Sequence, residues 1–274
     1  MDPVRSAGEV LEAIQKVKAG ATAFCTNFFP VQSRLENWVA HGELMAEARN
    51  GVTFFLRKDR DFAHLYFSAA NASAFGQELA KLPALATDKL ATDLVGSEAS
   101  LSELLRLAEQ SGFRRHSRLV RLARMASAVA PSSAPPAAGI ELATESDAPQ
   151  VLGLIERFFD RFADQLPTLY ELESAITARQ ILVIKQNGEI AALLFFETQG
   201  LTSTIRYWLA AAQFHSRGFG SALIRHYFST QPAVRRFILW VAATNENAIQ
   251  KYQHYGYAPD GLVDHVLLNE AAAP

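Results

Sequence analysis

Residues 215–223 read His-Ser-Arg-Gly-Phe-Gly-Ser-Ala-Leu, between a strand-like run and an apolar helical run. Glycines at such a junction let the backbone come close to a ligand. The first N–H groups of the helix have no helical acceptor, so the turn suits a phosphate or pyrophosphate. A plain strand–helix turn with no ligand has the same local pattern. A dinucleotide fold fits poorly: the third glycine position holds Leu223, and no acidic residue closes the next strand-like run, 237–243. There is no Gly-Lys-Ser/Thr triplet, so the Walker A chemistry is excluded.

A second constellation follows about 25 residues on. Asn245, Ala248, Tyr252, Gly256 and Tyr257 stand in the spacing Asn-x-x-Ala-x-x-x-Tyr-x-x-x-Gly-Tyr. Together with His215, Gly218 and Gly220, in the pattern Gln/Arg-x-x-Gly-x-Gly/Ala, this resembles the GNAT superfamily of N-acetyltransferases. The resemblance covers about residues 139–270, and His215 departs from the usual Gln or Arg.

The resemblance implies an acyl-CoA N-acyltransferase (GNAT) fold, with acetyl-CoA as co-substrate, a primary amine as acceptor, and direct attack with no covalent enzyme intermediate. It implies that the pyrophosphate rests on the loop formed by His215, Ser216, Arg217, Gly218, Phe219, Gly220, Ser221 and Ala222. Backbone N–H groups around Leu209 and Ala210 would hold the thioester oxygen. Tyr252 takes the general-acid position and gives the leaving thiolate a proton. Asn245 would cap its helix and touch the pantetheine arm.

The base that deprotonates an ammonium acceptor is less defined. Glu197, at the end of the run 190–198, is the first candidate, followed by Tyr207 or water. Trp208 packs in the core or lines the acceptor groove. The histidines show no His-x-His or His-Glu-x-x-His spacing, so no metal is expected. The single cysteine, Cys25, excludes a disulfide scaffold and reads as a small apolar residue rather than a nucleophile.

These residues need a scaffold. A short strand over 139–142 leads to Ser146, a candidate helix N-cap. Val151, Leu152, Leu154, Ile155, Phe158, Phe159 and Phe162 form one helical face. Thr168 with Glu171 has capping-box spacing for a second helix. Runs 181–185 and 190–198 flank Asn187-Gly188, a hairpin signal, and 202–212 continues the antiparallel run. The run 237–243 reads as a fully buried strand. Gly256 ends the helix carrying Tyr252, and a strand around 263–268 closes the domain. The fold class is α/β (α+β), a mixed, mostly antiparallel sheet flanked by helices.

The first half carries a faint repeat. Gly76 to Gly112 spans 36 residues, as does Gly220 to Gly256. Residues 74–79 align without a gap with 218–223, which pairs Ala74 with Gly218. Ala108 then replaces Tyr252 and Leu101 replaces Asn245. Strands are expected over 52–56, 62–69 and 92–96, with a helix over 101–111 and a meander one strand shorter than in the second half. This reads as a degenerate copy of the same fold; the other reading is an unrelated α+β domain.

The 274 residues carry a formal charge of −2 and 49% hydrophobic residues, ordinary globular composition for two domains. The segment 126–138 is rich in Ala, Pro and Ser and uncharged, and reads as a linker. The expected domains are thus 1–125, a degenerate GNAT-like domain, and 139–274, the catalytic one. The halves carry about +2 and −4, too little basic charge for nucleic acid to be the main partner. Arg114, Arg115, Arg118, Arg121 and Arg124 read as a solvated edge strand or as an anion contact. The longest apolar run, 190–196, is far short of a membrane span, and no charged-then-apolar leader opens the chain. A cytoplasmic protein acting on a small-molecule or peptide amine is expected. Two alternatives stand beside it: transfer from a carrier-bound or tRNA-bound donor, and a non-catalytic acyl-CoA-binding module.

Overall fold

The computed structural model describes residues 1–82, 89–126, 139–214 and 217–269. The chain divides into two compact units: Met1–Leu119 with Gly261–Pro274, and Val120–Asp260. In the first half lie β1 (Asp2–Pro3), α1 (Ala7–Ala19), β2 (Cys25–Thr26), α2 (Gln32–Ala40), β3 (Leu44–Arg49), β4 (Val52–Asp59) and β5 (Phe62–Ala69). Then come α3 (Ala72–Leu79), β6 (Lys89–Gly96), α4 (Glu98–Gln110) and β7 (Arg114–Met125). The second half has β8 (Ile140–Leu142), α5 (Ala148–Phe158), α6 (Leu169–Thr177), β9 (Ile181–Gln186), β10 (Glu189–Gln199) and β11 (Thr202–Ala210). It ends with α7 (Phe219–Ser229), β12 (Arg236–Ala242), α8 (Glu246–His254) and β13 (Ala258–Asn269).

The second unit has strand order β7-β12-β11-β10-β9-β8, with β8 to β11 antiparallel and the β11–β12 pair parallel. Asn187 and Gly188 both have positive φ, +53° and +83°, as the two-residue β9–β10 hairpin requires. Thr168 and Glu171 form the expected capping box of α6. α5 is entered differently: Thr144 and Asp147 make the box, around a short 3₁₀ turn that contains Ser146. α5 also stops at Phe158, so Phe159 caps it and Phe162 lies beyond the helix. β10 and β11 sit between two apolar layers. One face packs Leu194 and Ile205 on Leu223, Ile224 and Tyr227 of α7; the other packs Leu193 and Tyr207 on Val151, Ile155, Leu172 and Ile176 of α5 and α6. β12 alternates buried and half-buried residues, so it is not buried on both faces.

The first unit has strand order β1-β3-β4-β5-β6-β13, with β2 on the far part of β5. Its meander has three strands, β3 to β5, one more than expected. The last strand of the chain differs from expectation more sharply. Val263 to Asn269 pair with Gly96 to Leu90 of β6, so β13 completes the first unit rather than the second. The units therefore part at Leu119/Val120 and at Asp260/Gly261, not at a single linker. The expected linker lies outside the described residues except for Ala126. Among the described residues, no helix is long and apolar enough to cross a membrane.

Candidate active site

The site begins with one extra residue. β10 and β11 pair in register except at one break: Phe195 faces Tyr207 and Phe196 faces Ile205, so Arg206 bulges out of the ladder. A bulge bends and twists its strand. On the other edge, parallel pairing with β12 runs from Thr202↔Arg236 to Ile205↔Leu239 and stops there. β11 parts from β12 at the bulge, and no third strand among the described residues joins that edge. Ala211 N–H donates to Ala191 O at 2.9 Å. Alternation along the ladder then turns the Leu209 amide toward β10 and the Trp208 and Ala210 amides toward the opening. Of the two expected residues, Ala210 thus directs its amide to the opening, as Trp208 does, and Leu209 does not.

The opening leads to the start of α7. Gly218 caps this helix in the left-handed region, φ +76°, with no side-chain cap. A Cβ there would meet nothing within 4 Å, so the backbone conformation is what calls for glycine. Ala222 N–H bonds Gly218 O at 2.9 Å. The amides of Phe219, Gly220 and Ser221 precede any helical acceptor and form the anion-seeking end of the helix. Arg217 is exposed, with its guanidinium 5.8 Å from the Phe214 ring centre. His215 and Ser216 lie outside the described residues. The Trp208 indole N–H donates to Gly220 O at 3.2 Å, which fastens α7 to β11 beside the opening. Ser221 Oγ accepts from the Tyr255 hydroxyl at 2.7 Å.

Tyr252 stands on α8 with its ring 5.5 Å from Trp208 and 6.0 Å from Tyr257. Tyr255 takes the bond to Ser221, while the Tyr252 hydroxyl makes no hydrogen bond among the described residues. Burial, with the nearby charge of Asp164 adding to it, pushes the Tyr252 phenol above its ordinary pKa. It is therefore a neutral O–H at neutral pH, with its proton available. Asn245 caps α8, accepting from Ala248 N–H at 3.1 Å, and Gly256 closes the helix at φ +81°. Both follow the sequence expectation for this helix.

Glu197 sits in the second ladder pair beyond the bulge, opposite Thr204, and pairs with Arg206 at 3.7 Å. The bulged arginine thus holds the expected base as an ion pair. Asp164, in the turn between α5 and α6, is a residue that sequence reasoning missed. Burial, with the Asp160 charge as a smaller contribution, pushes its carboxyl up to about 6. No motif marks Asp164, whose charge is felt at Tyr252. Tyr207 is tied to that turn: its hydroxyl donates to the backbone oxygens of Asp164 and Gln165, both at 2.9 Å.

The arginines of β7 are largely engaged. Within the first unit Arg115 pairs with Glu109 and Arg118 with Glu98, each at 2.7 Å. Within the second, Arg121 pairs with Asp260 at 2.9 Å and Arg124 lies 4.0 Å over the Phe228 ring. No group of His, Cys, Asp and Glu among the described residues has a metal-binding arrangement.

The first unit builds a comparable opening. Parallel pairing of β5 with β6 ends at His64↔Ala91. Beyond it the Asn27 side chain spans the gap. Its amide donates to Leu65 O (3.1 Å), Thr92 Oγ1 (3.1 Å) and Asp93 O (2.9 Å), and its oxygen accepts from Phe67 N–H (2.7 Å). β2 then takes the β5 edge, with Cys25↔Ala69 and Thr26↔Ser68. Cys25 is half-buried; burial, with Glu103 adding to it, pushes its thiol up to about 11, so it is no ready nucleophile. The turn into α3 is also shorter: Asn71 caps the helix, so Gly76 lies inside it. A Cβ on Gly76 would come 2.6 Å from Leu107, so this glycine serves helix packing, not a phosphate loop.

Residues 149–257 match the model of the acetyltransferase (GNAT) family. No curated protein matches the chain in sequence. Among solved structures, a tandem GNAT protein from the clavulanic acid biosynthesis pathway superposes with a TM-score of 0.65 at 12% identity, covering 100% of this chain and 98% of that one. A GCN5-related N-acetyltransferase from Sphaerobacter thermophilus gives 0.60 at 17% identity, covering 81% and 77%. One from Kribbella flavida gives 0.59 at 14% identity, covering 95% and 96%. At such identities the structures speak for the fold alone. The second half thus matches the GNAT family, and the chain has the GNAT fold in tandem arrangement.

Proposed function

We propose that the chain transfers an acetyl group from acetyl-CoA to a primary amine by direct attack, and that the second unit holds the whole donor site. One observation carries this reading: the opening at the Arg206 bulge ends at a glycine-capped helix start, with an unbonded Tyr252 hydroxyl beside it. The pyrophosphate would rest on the first amides of α7. The pantetheine arm would extend along the β11 edge, toward which Trp208 and Ala210 direct their amides. These would polarise the thioester carbonyl and stabilise the oxyanion formed on attack. Tyr252 would then protonate the departing thiolate, and a phenol held neutral by burial suits that task.

This reading takes a small-molecule or peptide amine as acceptor, and neither a metal nor nucleic acid. A carrier- or tRNA-bound donor is less favoured, because Arg115, Arg118 and Arg121 are already paired with carboxylates. The test is calorimetric binding of acetyl-CoA, followed by an amine screen with Tyr252→Phe as control. Micromolar binding is expected, with Tyr252→Phe lowering kcat by about 100-fold and leaving the acetyl-CoA Kd within about twofold. Absence of acetyl-CoA binding overturns the proposal.

A further inference from the structure

Around the opening, two carboxylates compete for the role of base. Glu197 lies in the second ladder pair beyond the bulge and is paired with Arg206. Asp164 is pinned to the bulge itself. Tyr207, the residue after the bulge, holds the backbone oxygens of Asp164 and Gln165, and Arg206 Nη2 donates to Gln165 O at 3.4 Å. Gln165 is held at φ +45°, a conformation that non-glycine residues seldom adopt and that collects at functional sites. Asp164 Oδ2 accepts from Asp160 N–H at 2.8 Å, while Oδ1 takes no hydrogen bond among the described residues. Its charge is felt at Tyr252 on α8.

Resting on the acetyltransferase reading above, we infer that Asp164, and not Glu197, accepts the proton of a cationic amine acceptor at the Arg206 bulge. The ammonium gives one proton to Asp164 Oδ1, and the freed lone pair forms the N–C bond to the thioester carbon. The C–S bond breaks with its electron pair on sulfur, which takes the Tyr252 phenolic proton. The second nitrogen proton, released as the amide forms, restores Tyr252. Asp164 passes its own to solvent. The products are the amide, the CoA thiol and one proton. The titratable and charged groups around Asp164 are Asp160 on its own turn, Tyr207 and Arg206 on β11, and Tyr252 on α8. A carboxylate that is half protonated near pH 6 matches an acceptor proton better than an ordinary aspartate does.

The test compares the wild-type chain with Asp164→Asn, whose amide oxygen can still accept from Asp160 N–H, and with Glu197→Gln. Calorimetry with acetyl-CoA establishes the donor site in each. Carbon-13 NMR of the ligand-free chain follows the Asp164 carboxyl, which should titrate near pH 6. Thiol release is then measured with a diamine, an arylalkylamine and a peptide N-terminus, and with hydroxylamine, which is neutral at pH 7.5 and needs no base. Asp164→Asn should keep acetyl-CoA affinity within about twofold and lower kcat/KM for the ammonium acceptors at least ~100-fold. It should abolish the acidic limb near pH 6 and spare hydroxylamine. Donor binding with an unchanged Asp164→Asn pH profile, or loss of that limb in Glu197→Gln instead, overturns the proposal alone; donor binding with no transfer to any of the amines by the wild-type chain overturns it together with the acetyltransferase reading. Absence of acetyl-CoA binding in every chain overturns the acetyltransferase reading and this proposal together.

Discussion

In the first unit, β5 and β6 part after His64↔Ala91 and Asn27 bridges the gap with four hydrogen bonds. In the second, β11 and β12 part after Ile205↔Leu239, and no third strand among the described residues takes the edge. The helix that follows each opening differs in the same sense. α3 starts two residues after β5 on an asparagine cap, whereas α7 starts after a longer turn on a left-handed glycine. Parting strands expose backbone groups that need partners. One unit satisfies them with its own side chain and gains rigidity. The other keeps an opening beside Trp208 and Tyr252, where a ligand can supply the partners. The fold offers the opening, and what occupies it decides whether a unit is a scaffold or a site.

The largest effect should come from unplugging the first unit. Asn27→Ala takes the side-chain partner from Asp93 O and Phe67 N–H in a buried place, while Leu65 O keeps the Thr92 hydroxyl, so urea unfolding should show a loss of about 2–4 kcal/mol. Acetyl-CoA should still bind at one per chain by calorimetry. A second equivalent would mean that the plug alone separates the units, and would break the comparison.

A second prediction concerns the strain kept in the open site. Asp164 has its folded pKa raised above its ordinary value of 3.8 to about 6. The folded state thus binds the proton more tightly than the unfolded state. The stabilisation from that proton is fully present below about pH 4 and is lost as pH rises through 6. At pH 7 the ionised carboxylate is a liability, so Asp164→Asn should raise stability by about 1–3 kcal/mol. The gain should vanish below pH 4 in chemical denaturation. A variant stabilised equally at pH 3 and pH 7 would contradict this account.

The smallest effect belongs to the helix start. Gly218→Val puts a branched side chain into a left-handed conformation at a cost of roughly 1–2 kcal/mol. Relaxing the turn away from φ +76° would displace the first amides of α7. Acetyl-CoA affinity should fall about tenfold in calorimetry. Unchanged affinity would remove the left-handed glycine from the list of differences that matter.

Much of this was legible in the residues. Thr168 with Glu171, Asn187-Gly188, Asn245 and Gly256 are local devices, each acting over one turn of chain, and each is where its pattern put it. Patterns fail where a different local solution competes or where the partner is distant. Thr144 rather than Ser146 begins the turn before α5, because Asp147 reciprocates its bond. The gapless alignment of Ala74 with Gly218 misses the shorter turn that makes Asn71 the cap. Glu197 lies near the end of β10, and its ion pair with Arg206 is set by a bulge that no local pattern records.

The sequence by itself determined the class of fold, the tandem arrangement, the glycine-capped helix and the tyrosine helix, since these rest on short-range spacing and hydrophobic period. The tertiary structure decided that the turn of Asp164 is tied to Tyr207, which amides face the opening, that Asn27 fills its counterpart, and that the last strand completes the first unit. Those outcomes depend on pairing register and on contacts between residues more than 40 positions apart in several cases. A local pattern carries no record of which distant backbone group will need a partner.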